Sequence, residues 1–312
     1  MHRFRFVLYR PLQLLPVLFG ISVITFVLIH AIPGDPVRTI LGPKATVEAI
    51  TRVRAQFGLD KPVVVQYGLF LKNLVRGDLG RSVVYKVGVV ELVAERFVAT
   101  AFLLGYGVVL ALALTVPLAV TAALFRGRIL DHLIRVFSTA GLGFPAFWLG
   151  IMLMILFSIR LGLFPVSGYG EGFLGHLHTL FLPAFSIGLA LSAVLTRNLR
   201  ASLLAELDSD YVSAARAKGL SPRWIFVRHV FRNSLIPTIN LLGVNLGWLI
   251  GGTVVIETVF SVPGLGSLIV KSIFARDYMV VQAITLTFAC ATVLVNFAVD
   301  VVTVALDPRI KL

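Results

Sequence analysis

Six stretches of this chain stay apolar for roughly twenty residues at a time, and nothing else narrows its possible folds so far. They are Pro11–Ala31, Ala99–Phe125, Val136–Ile159, Leu180–Thr196, Ile236–Phe260 and Met279–Leu306. A helix of about 20 residues crosses the hydrocarbon core of a bilayer. Inside that core the backbone finds no water, so each segment must close its own hydrogen bonds, and runs this long are helices. The fourth is the shortest and the weakest. Of the 312 residues, 58% are hydrophobic and 14% charged. A soluble domain carries roughly 25% charged residues, so too little polar surface remains to wrap a water-soluble globule. The fold class expected is an all-α polytopic membrane protein with six transmembrane helices.

The net charge of +13 would fit nucleic acid in a soluble chain. Here its distribution argues for basic loops on the cytoplasmic side, and no nucleic-acid partner is expected. Counting the N-terminus, the loops after the second and fourth spans and the C-terminus gives fifteen Lys and Arg residues, against Arg160, Lys271 and Arg276 in the short intervening loops; loop 32–98 carries ten more but exceeds the length at which the rule applies. Both termini are therefore expected in the cytoplasm. Arg3, Arg5 and Arg10 precede the first apolar run, and no small-residue cleavage site follows it, which reads as an uncleaved first span. Cys290 is the single cysteine, so neither an intrachain disulfide nor a cysteine metal cluster is expected.

The expected organisation is an N-terminal segment with the first helix (1–31), an extracytoplasmic loop (32–98), and a five-helix core (99–312) with a large cytoplasmic loop at 197–235. The first loop is not featureless. Val47, Ile50, Val53 and Phe57 recur at helical spacing before Gly58, and Pro62 precedes a second apolar stretch, Val63–Leu74. Short amphipathic helices on the outer membrane face are expected there.

The cytoplasmic loop carries the functional signal. It reads as two short helices meeting at a sharp corner. Asp208, Ser209 and Asp210 form a capping cluster, and Tyr211–Lys218 contains Ala214, Ala215 and Ala217. Gly219 stops that helix, Ser221 can cap the next, and Pro222 suits its first position because its missing N–H costs nothing there. Alanines and a glycine let another protein approach the backbone closely. Arg216, Lys218, Arg223 and Arg228 add charge that orients a partner. Spacing alone favours the plainer reading, a basic cytoplasmic loop facing lipid headgroups.

Residues 211–237, YVSAARAKGLSPRWIFVRHVFRNSLIP, resemble the coupling motif, or EAA loop, of bacterial ABC-importer permeases. Ala214, Ala215 and Gly219 match it in register. Ser213 stands where the generic motif has Glu, as is common in the peptide branch. Further landmarks of the dipeptide, oligopeptide and nickel branch follow along nearly the whole chain: Pro33-Gly-Asp-Pro36, Gly77-Asp-Leu-Gly-Arg-Ser82, Phe144-Pro-Ala-Phe-Trp148, Phe260-Ser-Val-Pro-Gly-Leu-Gly266, Arg276-Asp-Tyr278 and Asp307-Pro-Arg-Ile310. An Arg-x-Pro-Val element of the family is replaced by Val84-Tyr-Lys-Val-Gly-Val89. The resemblance implies a type I importer permease in the bacterial inner membrane. Its partners would be a second homologous permease, two cytoplasmic ATPase subunits and an extracytoplasmic solute-binding protein. ATP and Mg would sit in the ATPase subunits, with no cofactor in this chain. The coupling residues implied are Ser213, Ala214, Ala215, Arg216, Ala217, Lys218, Gly219, Leu220, Ser221 and Pro222. The cargo implied is a di- or oligopeptide, with nickel, glutathione or another small solute as the alternative.

In the fifth span Gly243, Gly247 and Gly251 form a repeated small-residue face, fit for a helix interface beside a pore or for packing within one subunit. Glu257 near its outer end would cost about 2.5–3.5 kcal/mol in lipid and is expected to face pore, partner or interface instead. Asn240 and Asn245 are further pore candidates. Asp300 and His30 read as interfacial. His176 and His178 form an H-x-H pair without a third ligand, so no metal site is expected. No G-x-x-x-x-G-K-[ST] phosphate loop, paired catalytic carboxylates or nucleophile elbow is present, so the chain is not expected to be an enzyme. A secondary transporter would need repeated halves and a midplane ion site, and neither is visible.

Overall fold

In the computed structural model, residues 16–27, 45–57 and 60–306 are described. Landmarks 33–36 and 307–310, Gly58, His30 and the terminal arginines lie outside them. The described residues are mostly helical and contain no strand, only one isolated bridge between Arg81 and Gly88. The helices run α1 (Pro16–Val27), α2 (Val47–Phe57), α3 (Val63–Val75), α4 (Val89–Leu124) and α5 (Ile129–Leu142). Next come α6 (Ala146–Leu153, continuing as π-helix Met154–Arg160), α7 (Gly172–Thr179), α8 (Phe181–Leu207) and α9 (Asp210–Ala217). Last are α10 (Pro222–Ile225, continuing as π-helix Phe226–Phe231), α11 (Arg232–Val259), α12 (Leu265–Phe274) and α13 (Tyr278–Leu306).

Four helical segments are long and apolar enough to cross a membrane: α4, α8, the continuous Pro222–Val259 and α13. A fifth span exists if α5 and α6 are one broken crossing, because the pair bends by 104°. The straight third span expected from the sequence is therefore interrupted. Gly143 ends α5, and Pro145 holds extended backbone (φ −61°, ψ 141°) with no N–H to continue the ladder. The residue before a proline also disfavours helix. Of the expected first span, the described part covers twelve residues, Pro16–Val27.

Helix α4 starts at Val89, ten residues before the expected span. The reason is tertiary. Val89, Leu92 and Val93 bury against Leu265, Leu268, Val280 and Ile284, while Glu91 and Glu95 stay exposed, so packing rather than lipid extends the helix. These residues belong to one of two compact units, formed by the described residues up to Thr100 together with Pro263–Val293. In the same unit α1 packs on α3 through Phe26 and Tyr67 (ring centroids 5.2 Å apart) and a Ser22–Tyr67 hydrogen bond of 2.8 Å. Thr100 Oγ1 accepts the Leu265 N–H at 2.8 Å, tying down the start of α12. Asp277, fully buried, accepts from the Ser82 hydroxyl and from Val84 N (3.2 Å), and so pins the 82–88 turn to the α12–α13 corner.

The second unit comprises Ala101–Val262 and the described residues from Leu294. Helix α8 is its axis and packs against α5, α6 and α11. Two-thirds of its apolar window, 67%, is buried inside the chain. This explains why it is the weakest span in the sequence: its walls are protein, so small and polar residues such as Ser186, Gly188, Ser192 and Thr196 serve where lipid would demand Leu. Gly107 of α4 and Gly188 of α8 allow the closest approach. A Cβ on Gly107 would lie 2.9 Å from Ile187 Cγ2, and one on Gly188 would lie 3.1 Å from Leu110 Cβ and 3.3 Å from the Gly107 carbonyl. Gly188→Leu is accordingly expected to overpack this crossing by about 1–3 kcal/mol or more. The checking measurement is the yield of monodisperse protein and its apparent unfolding temperature, and parental values for both would refute the argument.

Candidate functional site

The corner between α8 and α11 is built around one buried anchor. Helix α8 does not stop at Thr196 but runs on to Leu207, so the first third of the expected loop is a helical stalk. Val212 of α9 has no exposed surface and packs with Leu199 and Leu203 of that stalk, Ala119 and Ala123 of α4, and Ile225 and Val230 beyond the turn. Ala215, one helical turn on from Val212, is half-buried against the same cluster. The other side of α9 and the whole turn are exposed: Ser213, Ala214, Arg216, Ala217, Lys218, Gly219, Leu220, Ser221 and Pro222. The surface is thus a small, basic ridge on an apolar footing.

Its corner is set by backbone chemistry. Gly219 sits at φ +77°, where residues with a Cβ are strained, and its N–H bonds to Arg216 O at 3.0 Å to close α9. Ser221 takes the N-cap position with extended backbone and Pro222 the first helical position, as the sequence requires, but the Ser221 hydroxyl makes no capping bond. The capping cluster also works differently from its expectation. Ser209 holds the N-cap geometry of α9, yet its hydroxyl donates back to Glu206 O at 2.6 Å. Asp208 instead pairs with Arg126 at 2.8 Å, both side chains being well exposed. The second short helix is not separate either. From Pro222 it passes through the π-helical turn into α11 without a break, and Pro237 lies inside α11 rather than at its start. Packing neighbours can re-satisfy a backbone group that proline frees in such a helix.

Aromatic contacts stiffen the ridge. Trp224 and His229 meet edge to face at 4.9 Å, Tyr211 and His229 at 6.3 Å, and the Tyr211 hydroxyl donates to the Glu206 carboxylate. Burial first, and then that hydrogen bond, push the Tyr211 phenol above its ordinary pKa. Four cations, Arg216, Lys218, Arg223 and Arg228, surround the ridge in exposed positions. Sequence reading missed the buried ion pair just above it. Asp131 in the first turn of α5 is 1% exposed and receives Arg200 Nε and Nη2 at 2.6 and 2.7 Å, with the Gly127 N–H at 3.0 Å. The signal available is an isolated acid following Gly127, whereas Arg126, Arg135 and Arg200 serve in the sequence only as topology markers.

The span-five candidates divide. A Cβ on Gly243 would fall 2.7 Å from Val299 Cγ2 of α13, whereas one on Gly251 would have no atom within 4 Å. Asn240 Oδ1 accepts from Thr303 Oγ1 at 2.8 Å, and Asn245 Nδ2 donates to Leu241 O, also at 2.8 Å. Glu257 is fully buried and Gly247 half-buried in α11. The two histidines are engaged separately: His176 Nδ1 donates to Tyr169 O at 2.8 Å and His178 Nε2 to Leu163 O at 3.1 Å. No group of three metal-ligating side chains occurs among the described residues.

With this geometry, the decisive comparison is the family. Residues 115–312 match the family described as binding-protein-dependent transport system inner membrane component, and residues 3–103 match the corresponding N-terminal family. The chain belongs to that family. It is a multi-pass inner-membrane permease subunit of an ABC importer, hence a transport subunit. It is 40% identical over 306 residues to the glutathione transport system permease protein GsiC of Escherichia coli strain K12, covering 98% of both chains. The Salmonella paratyphi A protein of the same description is 39% identical over the same length. Its fold resembles a chain of the MetNI methionine ABC transporter in inward facing conformations, with a TM-score of 0.55 over 69% of this chain and 96% of that one at 18% identity.

Proposed function

We propose that this permease forms half of a translocation pore for a peptide-class cargo and is driven through the α9 ridge by cytoplasmic ATPase subunits. The observation that carries the coupling role is the ridge itself. The residues from Ser213 to Pro222, exposed except for the half-buried Ala215, stand on Val212, a fully buried anchor, so force applied to the ridge would pass into the α8 stalk rather than be lost in a slack loop. The ATPase subunits would hold ATP and Mg. A second homologous permease would complete the pore and an extracytoplasmic binding protein would deliver cargo. Six spans with both termini cytoplasmic would place the ridge on the ATPase side and residues 32–98 outside, in keeping with the excess of basic residues in the short loops. Gly247, Gly251 and Asn245 of α11 are the pore or interface candidates in this arrangement, with Asn240, Gly243 and Glu257 holding the helix from behind.

Glutathione is a tripeptide, so the GsiC relatives and the peptide-branch landmarks support one cargo class, with glutathione its first candidate. The test is ATP hydrolysis by the assembled importer in nanodiscs, with its binding protein loaded in turn with glutathione, dipeptides, longer peptides or nickel. Glutathione or peptide should stimulate hydrolysis severalfold. Stimulation by nickel alone would overturn the cargo reading and leave the importer architecture standing.

A further inference from the structure

Helices α5 and α8 line a cavity of about 840 Å³ beside the α8 stalk. Arg135, Arg197 and Arg200 are among its lining residues, together with the hydroxyl-bearing Ser138, Thr139 and Thr196. None of its lining residues is acidic. Asp131, behind the wall, binds Arg200 and lies 3.6 Å from Arg135, so one carboxylate stands against three cations and two positive charges remain in excess. Arg135 also donates to His132 Nδ1, but Arg197 makes no hydrogen bond or ion pair with the described residues. A second observation points the same way independently. Thr196 is 1% exposed, and its Oγ1 is buried without a hydrogen-bond partner among the described residues. A small shift of the wall would let that hydroxyl donate to a bound acceptor and so satisfy it.

Beside the cavity, α5 carries an exposed apolar strip. Leu133, Val136 and Phe137 of α5 are 60%, 67% and 55% exposed, and Val136 also lines the cavity. A largely apolar hollow with three arginines among its lining residues, beside an aliphatic strip, fits one chemistry: a phosphate joined to acyl chains. We propose that this cavity binds the headgroup phosphate of an anionic phospholipid, with its acyl chains lying along Leu133, Val136 and Phe137. Guanidinium matches phosphate oxygens in bidentate fashion, and basic pockets between transmembrane helices are suited to anionic headgroups. A free phosphate would use the same donors but would leave the strip uncovered. The site goes beyond the transport reading. Only the leaflet, cytoplasmic, depends on the orientation proposed above.

The test uses the full-length permease purified in nonionic detergent, without an ATPase assay, so its result is separable from the coupling and cargo readings. Short-chain phosphatidylglycerol, short-chain phosphatidylcholine and glycerol phosphate are titrated in turn, and binding is read by native mass spectrometry. Phosphatidylglycerol should bind at least about tenfold more tightly than either of the others, because one lacks net charge and the other lacks chains. Arg197→Gln removes a side chain with no partner among the described residues and should weaken phosphatidylglycerol about fivefold. Thr196→Val, which keeps the shape of the side chain, should weaken it in the same direction. Equal binding of phosphatidylcholine, or no effect of Arg197→Gln, overturns the proposal. If glycerol phosphate binds as tightly as phosphatidylglycerol, the hollow is a free-anion site and the lipid assignment falls.

Discussion

An importer carrying Ala215→Glu and Gly219→Asp together is expected to lose cargo-stimulated ATP hydrolysis while its permease still inserts and stays monodisperse. The two substitutions act through different physics. Ala215 is half-buried against the cluster around Val212, and a carboxylate there must either desolvate or lift α9 from its footing. Gly219 has no atom within 4 Å of its Cβ position, so Asp meets no clash, but at φ +77° it adds roughly 1–2 kcal/mol of backbone strain. It also adds a negative charge to a ridge whose neighbours, Arg216, Lys218 and Arg223, are basic. If the ridge is the centre of the ATPase contact, the loss should be that of an interface hot spot, about 2 kcal/mol or roughly thirtyfold in affinity. Co-purification of the ATPase subunits and stimulated hydrolysis in nanodiscs are the two readings. Normal subunit stoichiometry with normal stimulation would remove the coupling role from residues 213–222.

The sequence made the helical class legible because lipid imposes a simple rule on apolar runs, and the last span, expected at Met279–Leu306 and found as Tyr278–Leu306, follows it closely. It was less legible wherever protein rather than lipid is the neighbour. Helix α4 gained its first ten residues from contacts with α12 and α13, and α8 looked too polar because it is walled by other helices. Punctuation by glycine and proline was read correctly at Gly219 and Pro222, where turn geometry is local. Pro145 and Pro237 show that the same residue type can have opposite outcomes. At Pro145 a glycine two residues earlier had already ended the helix. At Pro237 the helix is continuous from Pro222, and the proline was absorbed. In the coupling corner the exposed face was visible as a run of alanines, whereas its footing was not. Val212, Leu199 and Ile225 converge from three elements, and no local spacing announces such a meeting.

The ion pair at Asp131 is the deepest of the features that only three dimensions reveal, and Asp131→Ala is expected to be the most destabilising single change outside the coupling ridge. Asp131 is 1% exposed, and its removal strands Arg200, whose side chain is 18% exposed. Breaking a buried pair by deleting one partner costs about 3–5 kcal/mol, and the residual water access of Arg200 brings the expected loss to the lower end of that range. The loss has a second component. Asp131 also holds the Gly127 N–H at 3.0 Å, so the turn that carries Arg126, the partner of Asp208, loses its fixed entry into α5. The pair need not be net stabilising for this to hold, because an apolar replacement of both partners relieves both desolvation costs at once. Asp131→Leu with Arg200→Met should therefore regain most of the stability that Asp131→Ala forfeits. A double-mutant cycle on apparent unfolding temperature in detergent separates the cases. Strong non-additivity places the energy in the pair itself. If the single losses simply add, or if Asp131→Ala unfolds at the parental temperature, the carboxylate serves the Gly127 turn at most, and Arg200 is held by solvent rather than by its partner.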